Sequence, residues 1–261
     1  MDKTFLYIDI LGFENLVRNN SKKIKGIFEI IDGLNVHSHF ALQTVVFSDT
    51  ILVFNKNNDH ENHYYVTYLI EYAQQLFYRL SFINVYFKGI ITLGEFSFSR
   101  LSNIDAYYGL ALIETYQDES KLEGFGLFIN KNVSNEVVVF DKIDFNEKYD
   151  FILMCQSYIN LYQDTNGILP IDTNILVETD TYFRIDEDLR FFREIEYLKN
   201  NFPIESVRAK YKKVYDLYKS VTPKFFEKFE NEGFLPFTLN PYYLGSMNPF
   251  EILAETEMNS I

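Results

Sequence analysis

The first 145 residues alternate between short apolar runs and longer segments with helical spacing of their apolar positions. Runs typical of strands lie at residues 4–8, 42–47, 51–54, 85–96, 124–130 and 137–140. Helical spacing covers residues 14–34, 61–81 and 110–122, with a break allowed near Asn19–Ser21 in the first of these. The order β-α-β-β-α-β, followed by α-β, predicts an α+β, ferredoxin-like fold with an antiparallel sheet backed by helices on one face.

The pattern changes after about residue 145. Residues 186–200 and 205–233 show helical spacing. Apolar residues recur on one helix face at Val207, Tyr211, Val214, Tyr215, Tyr218 and Val221. We therefore predict two domains, one over residues 1–145 and a mostly helical C-terminal extension over residues 146–261 that covers the sheet or a partner chain.

Composition and charge narrow the function. Apolar residues make up 47% of the 261 positions, which excludes global disorder. The net charge of −13 argues against a nucleic-acid or anionic-membrane binder, because both need a positive surface. The single cysteine, Cys155, excludes an intrachain disulfide and a Cys-rich zinc site, and it suits a cytoplasmic location. No apolar run approaches the roughly 20 residues of a membrane span.

Two aspartates stand out because apolar strands surround them. Asp9 ends the first strand, and Asp49 lies in the turn between the runs 42–47 and 51–54. In a β-α-β-β-α-β sheet the first and third strands are antiparallel neighbours, so the two carboxylates should lie close together in space. Such a pair suits divalent cations, and a two-metal site suits phosphoryl transfer.

Each aspartate alone also has a structural explanation. Asp is a common residue in hairpin turns, which would account for Asp49. Asp9 could cap the helix that begins near Phe13. The presence of both at corresponding ends of adjacent strands favours the metal site.

Several longer motifs carry a family resemblance. The segments are YIDILGF (7–13), VVFSDTILVF (45–54) and KGIITLGEF (88–96). They resemble the class III nucleotidyl cyclase homology domain over roughly residues 4–140. GLALIETY (109–116) and VRAKYKKVYDLY (207–218) bring the chain closer to the stand-alone pyrimidine cyclases of the bacterial Pycsar antiphage system.

The resemblance implies a set of site residues. Asp9 and Asp49 match the positions that hold two Mn²⁺ or Mg²⁺ ions, and Ile10 matches the position whose backbone carbonyl also contacts metal. The turn whose amides face the phosphates corresponds to Leu11, Gly12 and Phe13.

The chain departs from the purine cyclases at their base-reading positions. Val45 and Ala106 stand where adenylyl cyclases carry Lys and Asp, and guanylyl cyclases carry polar residues there as well. The polar residues that recognise a purine are therefore missing at both positions, which favours a smaller base. We expect a pyrimidine to be read by Phe47, Tyr107 or Tyr108.

The catalytic positions depart as well. The transition-state Asn and Arg of the purine enzymes correspond to Ile113 and Gln117. Other cations must then neutralise the triphosphate, and Lys88 and Arg100 are the candidates.

The resemblance implies a cytoplasmic, head-to-tail homodimer with active sites at its interface. The enzyme would convert UTP or CTP to the 3′,5′-cyclic monophosphate and pyrophosphate. The product would be a second messenger of antiphage defence that activates a separate cyclic-nucleotide-gated effector. Two alternatives stay open: a catalytically inactive, cyclase-like nucleotide sensor or scaffold, which the residues at 113 and 117 would suit, and a purine cyclase with an unorthodox base pocket.

Overall fold

The computed structural model describes residues 2–34, 39–178 and 182–243. The chain divides into two compact units, the first ending at Ile152 and the second beginning at Leu153. Among the described residues, no helix combines the length and the apolar character that crossing a bilayer requires. The assignment of residues 1–145 to a cyclase homology domain and of 146–261 to an extension stays a prediction.

In the parts of the chain that the structure describes, the strands all lie in the first unit. They are β1 Asp2–Ile10, β2 Leu42–Phe47, β3 Thr50–Asn55, β4 Phe87–Glu95, β5 Ser97–Arg100, β6 Asp105–Tyr108, β7 Gly126–Asn130, β8 Lys142–Asp144 and β9 Tyr149–Ile152. The helices are α1 Phe13–Asn19, α2 Ser21–Asp32, α3 Asn62–Phe82, α4 Leu110–Glu119, α5 Gln156–Thr165, α6 Thr173–Glu178, α7 Ile185–Asn201, α8 Glu205–Val221 and α9 Pro223–Asn231.

The sheet confirms the predicted fold class. Strands β2, β3, β1 and β4 lie side by side in that order and pair antiparallel, which is the ferredoxin-like arrangement. In the described residues three further strands extend the sheet beyond β4 in the order β7, β9 and β8. Because β7 is parallel to β4, the sheet is mixed, and the expectation of a purely antiparallel sheet is wrong.

Helices cover both faces of the sheet, so the expectation of helices on one face is also wrong. Thr4 on one face contacts Asn62 of α3, with 3.3 Å between the side-chain oxygens. On the other face the ring of Tyr7 lies 6.4 Å from that of Tyr116 in α4. The hairpin of β5 and β6 covers the same face as α4. We call this second face the α4 face.

Coverage on both sides explains the sequence of β1. Its residues from Lys3 to Ile8 are all buried, so the strand is apolar at nearly every position instead of alternating. On the α4 face, the core consists of Phe5, Tyr7, Leu52, Phe54 and Phe96.

Three boundaries differ from the predictions for local reasons. The segment 14–34 is two helices, because the Asn20 side chain accepts from the Lys23 N–H at 3.0 Å and starts α2 afresh. Pro223 separates α9 from α8. Residues 137–140 do not form a strand, and Val138 and Val139 are exposed.

The second unit is helical in its described residues, and aromatic side chains form its core. The ring of Phe192 lies 4.9 Å from that of Tyr158 and 5.1 Å from that of Phe226. The buried Asp188 carboxylate accepts from the Tyr158 N–H at 2.9 Å and so caps the first turn of α5.

The placement of α4 depends on Gly109. A Cβ at this position would overlap the carbonyl oxygen of Glu95 and lie 2.8 Å from the Cα of Phe96. We expect Gly109→Ala to lower the free energy of unfolding by more than about 2 kcal/mol. Gly26 in α2 has open space around it, so Gly26→Ala should raise the free energy of unfolding by about 1 kcal/mol. Urea unfolding of both variants checks this, and equal midpoints would contradict the close packing.

Candidate functional site

The end of β1 meets the β2–β3 turn, as the topology predicts. Asp9 is paired with Thr50, the first residue of β3. The N–H of Ile10 donates to the backbone carbonyl of Asp49 at 3.0 Å. Both aspartates are half-buried. The structure therefore brings Asp9 and Asp49 together at one edge of the sheet.

Several of the expected residues lie in one row across four strands. Phe47, Thr50, Asp9 and Lys88 are successive cross-strand partners. Side chains of residues directly opposite each other in a sheet point to the same face. These four side chains therefore lie on the α4 face, in what we call the aspartate row.

The turn after Asp9 offers few free amides. The N–H of Leu11 donates to the carbonyl of Tyr86 at 2.9 Å. Gly12 precedes the first residue of α1 with a φ of 71°, a conformation that favours glycine. Gly12 and Phe13 thus remain the candidates from this turn whose amides could face a phosphate.

Lys88 is held within the protein. Its side chain is 3% exposed, and its Nζ lies 2.7 Å from the backbone carbonyl and 2.9 Å from Oε1 of Glu119 in α4. The ion pair ties the end of α4 to β4 beside Asp9. Lys88 as a neutraliser of triphosphate therefore stays a prediction, and the structure shows its charge already matched by a carboxylate.

Arg100, Tyr107 and Tyr108 lie away from the aspartate row. Tyr107 accepts from Nε2 of Gln43 at 3.3 Å, and Arg100 lines a groove that also contains Gln43. Gln43 precedes Phe47 by four residues on β2. At about 3.4 Å per residue, the two positions are about 14 Å apart. Within one chain, the expected residues thus form two separate groups.

Sequence reasoning missed the residues that surround Asp9 on the α4 face. They are Tyr7, Thr50, Tyr116 and Glu119. Burial raises the pKa of Tyr7 to about 12, a hydrogen bond with Thr50 opposes this, and the charges of Asp9 and Glu119 add to it. Tyr7 therefore stays a neutral hydroxyl at physiological pH. Strand alternation places Tyr7 on the same face as Asp9, and that signal could have found it.

The donor chemistry fits a divalent cation that is shared with a substrate. The described residues contain no group of three or more His, Cys, Asp or Glu side chains arranged to hold a metal. Mg²⁺ is commonly bound through one or two carboxylates together with substrate phosphates and water. Asp9, Asp49 and the carbonyl of Ile10 would supply the protein's share of the ligands.

Comparison with solved structures finds nucleotide cyclase domains. The guanylate cyclase domain of RhGC from Catenaria anguillulae, solved with GTP, is 12% identical over 58% of this chain and 96% of its own length, with a TM-score of 0.45. The adenylyl cyclase CyaB from P. aeruginosa is 10% identical over 59% and 95%, with a TM-score of 0.47. A bacterial light-regulated adenylyl cyclase is 13% identical over 64% and 98%, with a TM-score of 0.44.

These are remote likenesses, and they assign no activity to this chain. No protein-family model matches the sequence, and no curated protein matches it either.

The buried pair of Lys88 and Glu119 gives a stability prediction. Lys88→Met leaves the Glu119 carboxylate without its cation in a largely buried position, so the free energy of unfolding should fall by about 3 kcal/mol. The double variant with Glu119→Gln should recover part of this loss. Denaturant unfolding of the double-mutant cycle measures the coupling. A Lys88→Met protein as stable as the parent would contradict the assigned contact.

Proposed function

We propose that the protein is a metal-dependent nucleotidyl cyclase that converts UTP or CTP to the 3′,5′-cyclic monophosphate and pyrophosphate. The observation that carries the proposal is that strand pairing brings Asp9, opposite Thr50, next to the turn that holds Asp49, in a β-α-β-β-α-β sheet. Two half-buried carboxylates brought together by strand pairing are a poor arrangement for stability alone, because like charges repel. They suit a cation-assisted phosphoryl transfer.

The reaction joins the ribose 3′-oxygen to the α-phosphorus and releases pyrophosphate. The bond from the α-phosphorus to the bridging oxygen breaks, and the proton of the 3′-hydroxyl passes to water. Two divalent cations, Mn²⁺ or Mg²⁺, supply the charge that lowers the pKa of this hydroxyl when they are bound. Asp9 and Asp49 would hold those cations, and the Gly12 and Phe13 amides would face the phosphate oxygens.

One feature offers a stacking surface for a base, and a second argues against a purine. Phe47, in the aspartate row, is 80% exposed, so its ring is available to stack on a base. Val45 packs against the apolar core of the α4 face, and thus the position that reads a purine in adenylyl cyclases presents no polar group. Tyr108 is exposed and could contribute a hydroxyl.

A homodimer would unite the two separate groups of site residues. Arg100 and Tyr107 lie near Gln43, at the other end of β2 from the aspartate row. The apolar side chains of Leu110, Ile113 and Tyr116 are exposed along one side of α4, on the same face of the sheet. Exposed apolar surface of this kind is typical of an interface. We infer that this face meets a second copy and that each site takes residues from both.

By the same proposal, the cyclic pyrimidine nucleotide is a second messenger in the cytoplasm. It signals phage infection to a separate effector that binds the product.

Product analysis tests the activity. We expect the protein with Mn²⁺ to turn UTP or CTP into its cyclic monophosphate, and Asp9→Asn or Asp49→Asn to lose at least about 100-fold in rate. Asp2→Asn, at the exposed opposite end of β1, is the matched control and should keep its activity. Mass spectrometry of reactions with each of the four ribonucleoside triphosphates identifies the product.

Each other outcome changes the proposal in a defined way. A cyclic purine nucleotide would leave the chemistry standing and refute the pyrimidine pocket. No product from any nucleotide, also after addition of phage-infected lysate, would favour the inactive sensor. The specific observation behind that alternative is that Ile113 and Gln117 leave α4 without the family's Asn and Arg, while Lys88 is already paired with Glu119.

The interface has its own test. Ile113→Asp places a charge on the exposed side of α4, so it should convert the dimer to a monomer in sedimentation velocity. Ile168→Asp is the matched control, because Ile168 is similarly exposed at 68% but lies in the second unit. A dimeric Ile113→Asp protein would show that α4 does not form the interface.

A further inference from the structure

The outer edge of β2 offers backbone hydrogen-bonding groups. β2 is the terminal strand on its side of the sheet in the described residues. The carbonyl of Ala41 accepts from the N–H of Lys56 at 2.8 Å. This bond shows which residues of β2 are hydrogen-bonded to β3, because such residues alternate along an antiparallel pair. Odd-numbered residues of β2 therefore exchange hydrogen bonds with β3, and Thr44 and Val46 point their N–H and C=O groups outward.

Within the described residues, β2 itself carries no charge, proline or bulge that would hinder strand addition. Edge strands are commonly guarded by charged residues, proline or a bulge. The β2 sequence LQTVVF contains no charge and no proline, and its pairing with β3 is regular over all six residues. The edge is therefore a suitable template for another strand.

A basic groove lies along this edge. It has a volume of about 780 Å³ and is lined by Leu42, Gln43, Thr44, Lys56, Phe98 and Arg100. Nε of Arg100 lies 3.2 Å from the Asp105 carboxylate, and its guanidinium sits over the ring of Phe98 at 5.9 Å. The two charged residues that line the groove, Lys56 and Arg100, are both cations, whereas the whole chain has a net charge of −13.

A second groove runs along the same edge. It has a volume of about 380 Å³ and is lined by Phe28, Ile31, Asp32, Thr44 and Val46. Three of these side chains are apolar. Side chains alternate between the two faces of a strand, and Gln43 lies on the α4 face. Thr44 and Val46 therefore lie on the opposite face, and so does this groove.

We propose that the β2 edge binds an extended strand of a partner protein in which acidic and apolar residues alternate. An added strand places successive side chains on opposite faces of the sheet, so one set enters the basic groove and the other the apolar groove. Main-chain hydrogen bonds to Thr44 and Val46 hold the strand in register. Charge complementarity with Lys56 selects the acidic residues, because the Arg100 guanidinium is already paired with Asp105.

The same charges argue against a second copy of β2 as the occupant. The sequence LQTVVF has no acidic residue to place in the basic groove. The test is separate from the proposed cyclase activity because it uses Lys56 and the β2 backbone, whereas Arg100, which also lines the groove, belongs to the proposed cyclase site and is left unchanged.

A fluorescein-labelled synthetic peptide, acetyl-GEVEVEVEG-amide, tests the proposal on the full chain by fluorescence anisotropy. The peptide should bind, and Lys56→Glu should weaken binding about tenfold, as should 0.5 M NaCl. Lys22→Glu makes the same charge change at an exposed position on α2 outside both grooves and should leave the affinity unchanged. A peptide with Lys in place of Glu should not bind.

Hydrogen exchange locates the peptide. Binding should slow exchange of the Thr44 and Val46 amides, since these point outward, and should leave that of Val45 unchanged. Absence of binding at millimolar peptide would overturn the proposal. Equal affinity of Lys56→Glu and Lys22→Glu, or protection elsewhere in the chain, would overturn it as well. Self-association without peptide, lost in Val46→Lys, would assign the edge to a second copy instead.

Discussion

The antiparallel pairing of β1 with β3 is the constraint on which the candidate site depends. It places Asp9 opposite Thr50 and joins the Ile10 N–H to the Asp49 carbonyl at 3.0 Å. A slip of one residue would turn Asp9 to the other face and away from the aspartate row. Because both faces of β1 are packed, such a slip would also expose or misplace a buried side chain at each position. The core thus fixes the geometry of the two carboxylates.

The α4 face adds a second layer that shapes the surroundings of the site. Close contact at Gly109 lets α4 start directly against the backbone of Glu95 and Phe96. Lys88 and Glu119 then hold the other end of the helix beside Asp9. The helix is anchored at both ends, while its middle carries exposed apolar side chains. A surface that is rigidly held and apolar is well suited to meet another protein chain.

The local parts of this arrangement were predictable from sequence, and the long-range parts were not. Apolar runs and the turn between them predicted β1, β2 and β3, and strand order then predicted the meeting of Asp9 and Asp49. Periodicity does not say which face a helix covers, so α4 was misplaced. The sequence does not show that Lys88 is buried and paired, because its partner, Glu119, is 31 residues away along the chain. The sequence does not predict the β5–β6 hairpin, because each of its strands has only four residues and β6 shows no regular alternation. Residues 137–140 are apolar enough to predict a strand, yet none forms there and Val138 and Val139 are exposed.

The central claim is that Asp9 and Asp49 together bind a divalent cation with a nucleoside triphosphate. The most direct measurement is electron paramagnetic resonance of Mn²⁺ titrated into the protein with a UTP analogue that cannot cyclise because it lacks the 3′-hydroxyl. The account predicts that bound Mn²⁺ depends on the nucleotide and is lost when either aspartate becomes asparagine, while Asp2→Asn binds as the parent does. Equal Mn²⁺ binding by the parent and by Asp9→Asn or Asp49→Asn would contradict it.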